Sequence, residues 1–161
     1  MADRTLCSPA ETPVFTCYTG GKIASLCAIG SNDFSHLRYV YGKPGKIELS
    51  YPADTVPARD AFRYGSLSLG VAGGSYVRFD IGGFSYSVFY VLGQIGEFDG
   101  VVVEKGGKSV RNLVCSEESS DHLTTDFFAQ AALTEINIGG GFEIPQIFFR
   151  HNNSQIRRRS R

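Results

Sequence analysis

Apolar and polar positions alternate on both sides of a Gly82-Gly83 pair in the run SYVRFDIGGFSYSVFYV, residues 75–91. Glycine reaches the positive φ angles that a tight two-residue hairpin turn requires. Pairing outward from that turn sets Ile81 opposite Phe84, Phe79 opposite Tyr86 and Val77 opposite Val88. Asp80 with Ser85 and Arg78 with Ser87 fall on the other face, because side chains alternate across a strand. The pattern predicts a β-hairpin with one apolar face and one mostly polar face. Tyr76 and Phe89 form an aromatic pair on the polar face.

The same reasoning predicts further hairpins. Val14 to Ala28 folds around Gly20-Gly21, with Phe15, Cys17, Ala24 and Leu26 on one face and Val14, Tyr18, Ile23 and Cys27 on the other. His36 to Tyr41 and Lys46 to Tyr51 meet across Gly42-Lys43-Pro44-Gly45. An odd loop there gathers Leu37, Tyr39 and Tyr41 with Ile47, Leu49 and Tyr51, and predicts a bulge at Gly45. A connection from Pro52 to Arg63 holds one helical turn near Ala58 to Phe62. Leu67 to Val71 reads as a short strand, with Gly73-Gly74 separating it from the central hairpin. Phe98 to Glu104 and Lys108 to Val114 form a hairpin over Gly106-Gly107 whose register neither parity settles.

After Ser120 the period changes. Leu123, Phe127, Phe128, Ala131 and Ala132 recur at helical spacing, predicting a helix from Asp121 to Leu133 with Thr125 or Asp126 as its cap. Gly139-Gly140-Gly141 closes that region, and Phe142 to Phe149 reads as extended. The expected architecture is mainly β: an antiparallel barrel or sandwich of about seven or eight short strands with one short helix in the C-terminal half. Residues 1–13 read as an irregular lead-in, 14–149 as a single β domain and 150–161 as a basic, disordered tail.

Composition agrees with a folded domain, at 42% hydrophobic and 20% charged residues. The formal net charge of zero hides an asymmetry. Arg150, Arg157, Arg158, Arg159 and Arg161 are five of the 16 basic residues, so residues 1–149 keep 11 against 16 acidic groups, a net of −5. Such a body repels nucleic-acid phosphates, which leaves the Arg-rich segment as the one place for an anionic partner. No apolar run is long enough to span a membrane. No signal peptide precedes the body, so export implies a leader already removed.

Four cysteines, Cys7, Cys17, Cys27 and Cys115, lack paired C-x-x-C spacing and point to disulfides rather than zinc. Three pairings are possible. Cys17 and Cys27 point to opposite faces of one hairpin, which disfavours a bond between them. The expected pairs are Cys7–Cys27, reached by folding back the lead-in, and Cys17–Cys115.

Catalytic signals are sparse. His36 opens a strand and His151 lies in the tail. His122 sits among Glu117, Glu118, Asp121 and Asp126, a set that could hold a hard cation or a mixed N/O metal site but reads rather as a solvated helix entry, since carboxylates are expected in a first helical turn. There is no G-x-S-x-G elbow, no G-x-G-x-x-G and no P-loop, so no cofactor, metal or catalytic residue is assigned. Ser75, Tyr76, Arg78 and Phe89 are the candidate partner-binding residues, since interfaces favour aromatics with arginine. The structural alternative is that another element covers Tyr76 and Phe89 and makes them core.

The runs FTCYTGGKIASLC, LRYVYGKPGKIELSY, AFRYGSLSLGVAGGSYVRFDIGGFSYSVFY and NLVC resemble small exported bacterial proteins of unassigned function. That resemblance implies a periplasmic or extracellular setting. Phe15-Thr16-Cys17 and Cys115 are also similar in placement to the early and late cysteines of periplasmic lysozyme inhibitors, which are small β-barrels. The inhibitors' Ser-Gly-x-x-Tyr loop is not reproduced; Gly74-Ser75-Tyr76 is its nearest remnant. Together these readings suggest a non-catalytic, disulfide-stabilised binding module whose partner is a lysozyme or another cell-wall enzyme. The alternative is a cell-envelope hydrolase or carbohydrate-binding enzyme using carboxylates in a cleft.

Overall fold

A computed structural model of the chain describes residues 5–29, 34–68, 72–94, 96–116, 120–121, 123–136 and 144–149. In chain order the first elements are β1 (Glu11–Thr19), β2 (Lys22–Ile29), β3 (His36–Lys43), β4 (Lys46–Tyr51), α1 (Ala58–Ala61) and β5 (Arg63–Ser68). They are followed by β6 (Ala72–Ile81), β7 (Phe84–Gly93), β8 (Gly96–Lys105), β9 (Lys108–Val114), β10 (Ser120–Asp121), α2 (Thr125–Gln130) and β11 (Thr134–Glu135). A last helical turn, α3, covers residues 146–149. The protein is mainly β, and the chain divides into two compact units, residues 1–62 with 115–134 and residues 63–114 with 135–161.

The first unit holds a sheet in the order β10-β1-β2-β3-β4. The β1–β2 hairpin turns on Gly20 and Gly21, both at positive φ, and pairs Phe15 with Leu26 and Cys17 with Ala24. These four side chains are fully buried. The opposite face is buried too, because the lead-in folds onto it. Leu6 N–H donates to Ser25 Oγ at 3.1 Å, and Cys7 is bonded to Cys27. The second bridge joins Cys17 to Cys115, so both expected pairs form. Strand β1 starts at Glu11, earlier than expected, and Val14 is an extra bulged residue between the Pro13–Cys27 and Phe15–Leu26 pairs.

The β3–β4 register is the odd one expected, with Tyr39 opposite Tyr51 and Tyr41 opposite Leu49. Its bulge is not at Gly45. The turn is a two-residue one at Pro44-Gly45, and the extra residue is Glu48, between the Gly42–Ile47 and Tyr41–Leu49 pairs. Gly42 faces that bulge at φ 145, and a Cβ there would lie 2.6 Å from the Lys46 carbonyl oxygen. The displaced bulge also turns Ile47 outward, at 48% exposure, instead of joining it to the apolar face.

α1 is the helical turn expected near Ala58. Its Ala58 N–H donates to the Ser35 carbonyl at 2.6 Å, and Tyr51 Oη donates to the Ala61 carbonyl at 3.0 Å. α2 is shorter than the predicted Asp121–Leu133 helix, and its cap is neither Thr125 nor Asp126. Ser120 and Asp121 are drawn into a two-residue pairing with Thr16 and Phe15, so the helix starts later. Thr124 Oγ1 accepts from Phe127 N–H at 3.2 Å as its N-cap. Leu123, Phe127, Phe128 and Ala131 are buried as the spacing required, whereas Ala132 is exposed and leaves the helix at φ 57.

The second unit holds a sheet in the order β11-β5-β6-β7-β8-β9. Its centre is the β6–β7 hairpin, paired as the alternation predicted from Ile81–Phe84 through Tyr76–Phe89. The Gly73-Gly74 separator is not a turn. Both glycines lie inside β6, which pairs with β5 from Arg63–Arg78 to Ser68–Gly73. A Cβ on Gly74 would collide with the Tyr90 carbonyl, so glycine here permits close backbone approach. The strand expected at Leu67–Val71 is β5, which begins at Arg63; residues 69–71 lie outside the described residues.

The ambiguous hairpin has a physical cause. Lys105 pairs with Lys108 and Val103 with Arg111, but Glu104 pairs with Ser109, leaving Val110 as a bulge. The two halves of the hairpin therefore follow different parities. Residues 146–149 are helical rather than extended, while residues 139–143 and the Arg-rich segment 150–161 lie outside the described residues. Neither sheet closes on itself, which sets aside the closed-barrel form of the expectation. The end strands β4 and β9 each carry a bulge and charged residues, Lys46 and Glu48 or Lys108 and Arg111. Such features discourage edge-to-edge pairing.

Candidate functional site

The face of the second sheet that carries Tyr76 and Phe89 is divided into an aromatic half and a polar half. In the aromatic half Tyr76, Phe89, Val91, Phe98 and Val102 form one cluster with Ile144 and Phe148. The Phe148 ring meets Phe89 edge-on at 4.8 Å between centroids. Tyr76 is 2% exposed and Phe89 0%. Both predicted contact residues are therefore core, and the element that covers them within this unit is Ile144–Phe149. Burial pushes the Tyr76 phenol up, against the pull of the nearby Arg78 charge.

In the polar half Arg78 and Ser87 stand opposite each other. The Arg78 side chain crosses β7 to reach Glu104 on β8, with Nη2 3.5 Å from Oε1. Ser87 is fully buried. Asn112, on the next strand, faces Val102. Among the described residues Ser87 Oγ, Glu104 Oε1 and Asn112 Oδ1 are buried with no hydrogen-bond partner. Ser75 lies on the opposite face and pairs with Tyr90. The structure thus brings together three of the four predicted contact residues, and two of those are inaccessible to a partner.

Glu104 and Asn112 had no signal in the sequence, because the Val110 bulge hides which face each occupies. Ser87 has no base in hydrogen-bond reach among the described residues, so the set lacks what a serine nucleophile needs. An uncompensated buried hydroxyl destabilises the fold. Ser87→Ala is expected to raise the urea midpoint, by about 1 kcal/mol in stability. A lowered midpoint would show that Ser87 makes a bond the geometry does not reveal.

Two clefts of the first unit are lined by described residues. One, of about 180 Å³, is lined by Pro13, Val14, Phe34 and Phe127, with Asp126 and Gln130 among its polar residues. The other, of about 140 Å³, is lined by His36, Arg38, Ser50, Asp54 and Thr55 among others. Both fall below the roughly 300 Å³ of an ordinary small-molecule site; their size suits a single inserted side chain. His36 opens β3, with Nδ1 3.0 Å from Ser35 Oγ. His122, Glu117, Glu118 and His151 lie outside the described residues. Among the described residues no group of three His, Cys, Asp or Glu side chains is placed to hold a metal ion.

Arg38 is committed elsewhere. Its Nε and Nη2 donate to Glu11 Oε2 and Oε1 at 3.0 and 2.7 Å, and Ser8 N–H donates to Oε1 at 2.7 Å. Burial alone would raise the Glu11 carboxyl, but the bonds from Arg38 and Ser8 outweigh it and hold the group below the usual carboxylate range. That is the wrong direction for a general acid. A depressed folded-state pKa contributes stability above the unfolded value, and that contribution is lost as pH falls through the folded one. Glu11→Gln is therefore expected to cost about 1–3 kcal/mol at neutral pH. The gap from the unaltered protein should narrow in acid thermal melts below the ordinary carboxyl range; a gap constant with pH would contradict the ion-pair assignment.

No protein-family model, curated protein or solved structure matches this chain, so its functional reading rests on its own residues.

Proposed function

We propose that this chain is an exported, non-catalytic binding module, braced by its disulfides for the periplasm or the extracellular space, with a protein as its partner. The observation that carries the reading is that all four cysteines are bonded, one pair across 98 residues of sequence. Disulfides of this kind persist in oxidising compartments. The two described clefts of the first unit are of side-chain size, which suits contact with a protein. A lysozyme or another cell-wall enzyme is the most specific candidate partner, on the resemblance of Phe15-Thr16-Cys17 and Cys115 to the inhibitors' cysteine framework.

Two measurements test this. Alkylation and mass measurement of the native protein, with and without prior reduction, should show no free thiols before reduction; four free thiols would sink the export reading. Titration of the chain into a panel of lysozymes, read as heat of binding and as inhibition of cell-wall lysis, should identify a binding partner. No binding to any of them would remove the lysozyme assignment while leaving the exported module intact.

A further inference from the structure

The cleft lined by Pro13, Val14, Phe34, Phe127, Asp126 and Gln130 joins three stretches of the first unit: the start of β1, the residue Phe34 ahead of β3, and α2. Its surface is mostly apolar, and its volume of about 180 Å³ takes one long side chain. The Phe34 and Phe127 rings meet edge-on at 5.4 Å between centroids. Phe127 is buried and Phe34 half-buried, while Asp126 and Gln130 are exposed. No lining residue is basic, and among the described residues Asp126 makes no ion pair. Residues 115–134, which supply both Asp126 and Phe127, carry Glu117, Glu118, Asp121 and Asp126 and no Lys or Arg. Asp33 adjoins Phe34 in sequence. The first unit as a whole has ten acidic against six basic residues, a net of −4. An apolar cleft with aromatic rings and an unpaired carboxylate, set in an acidic unit, selects a cation carried on an apolar stem.

We propose that this cleft is the anchor pocket for an arginine side chain of a partner protein whose contact surface is basic. The aliphatic stem lies against Pro13 and Val14, and the guanidinium plane against the Phe34 and Phe127 rings. Its N–H groups donate to the Asp126 carboxylate and the Gln130 amide oxygen. Arginine suits the cleft better than lysine, because a planar, weakly hydrated guanidinium stacks on an aromatic ring and bonds a carboxylate at the same time. Arginine is also among the residues that carry most of the binding energy at protein interfaces. The inference rests on the reading of this chain as a protein-binding module, and it names the chemistry of the partner's contact.

The test titrates the isotope-labelled full chain with the acetylated, amidated peptide Gly-Ser-Arg-Ser-Gly and reads backbone amide shifts by NMR. The shifts should concentrate at Val14, Phe34, Phe127 and Gln130. The same peptide with citrulline, which keeps the shape of arginine without its charge, should bind about tenfold or more weakly. Asp126→Asn, an exposed substitution, should weaken the arginine peptide by a similar factor and remove its preference over citrulline. Phe34→Leu should weaken it by about threefold, through loss of the ring face. Equal binding of the arginine and citrulline peptides, shifts centred elsewhere, or unchanged affinity in folded Asp126→Asn overturns the proposal. Replacing Arg150, Arg157, Arg158, Arg159 and Arg161 together by glutamine should leave the affinity unchanged. Tighter binding by that variant would assign the cleft to the chain's own arginines and overturn the partner assignment. Free thiols, or a lysozyme panel without binding, would leave these shifts as they are, so this inference and the export reading can fail separately.

Discussion

Replacing Cys17 and Cys115 together by alanine is expected to cost about 4.7 kcal/mol by loop-closure entropy, enough to remove much of the stability of an ordinary domain. The bond closes a loop of 98 residues, against 20 for Cys7–Cys27. On the same entropic argument the shorter loop contributes about 3.3 kcal/mol, so the two double variants should differ by about 1.4 kcal/mol. Urea denaturation of both, without reductant, measures this directly. Equal losses, or a larger loss at Cys7–Cys27, would mean that packing of the lead-in on Ser25 outweighs chain entropy. Alanine is preferred to serine because Cys17 is fully buried and Cys115 nearly so, where a hydroxyl would add its own desolvation cost.

Phe89→Ala should lower stability by about 3–5 kcal/mol, the usual range for deleting a buried aromatic ring. The ring meets Phe148 at 4.8 Å and Phe98 at 6.2 Å between centroids, both edge-on. The cavity it leaves would lie beneath Ile144–Phe149, so exposure of that segment to limited proteolysis should rise in parallel. Arg78→Ala, at the half-buried edge of the same face, should cost less, because its ion pair to Glu104 is long. An unchanged midpoint in Phe89→Ala with loss of a partner would identify the residue as an interface side chain. The cluster assignment would then be wrong.

Much of the fold was legible because β alternation is a strong local signal. Two hairpins with Gly-Gly turns and the odd register of Tyr39 and Tyr41 against Tyr51 and Leu49 followed from counting residues outward from a turn. The count also set Cys17 and Cys27 on opposite faces, and the reach of the lead-in chose between the two pairings left. What failed were positions where one residue breaks the count. Glu48 and Val110 are bulges, and a bulge has no residue type of its own. Gly73-Gly74 carried the composition of a turn, yet Gly74 lies against the Tyr90 carbonyl from the neighbouring strand, a contact invisible along the chain. The α2 start was misplaced for a similar reason, since Ser120 and Asp121 pair with β1, over a hundred positions earlier.

Local sequence determined which side chains share a face: Tyr76, Arg78, Ser87 and Phe89 on one side of the central hairpin, Val77, Phe79, Tyr86 and Val88 on the other. It could not determine what meets each face. Tertiary structure made Tyr76 and Phe89 core rather than contact surface by laying Ile144 and Phe148 over them, and it placed Glu104 and Asn112 beside Arg78 and Ser87. The physical reason is that alternation is a property of one strand's backbone. Burial is a property of whatever distant segment gains most by leaving water there, and for this face that segment is the one that carries Ile144 and Phe148.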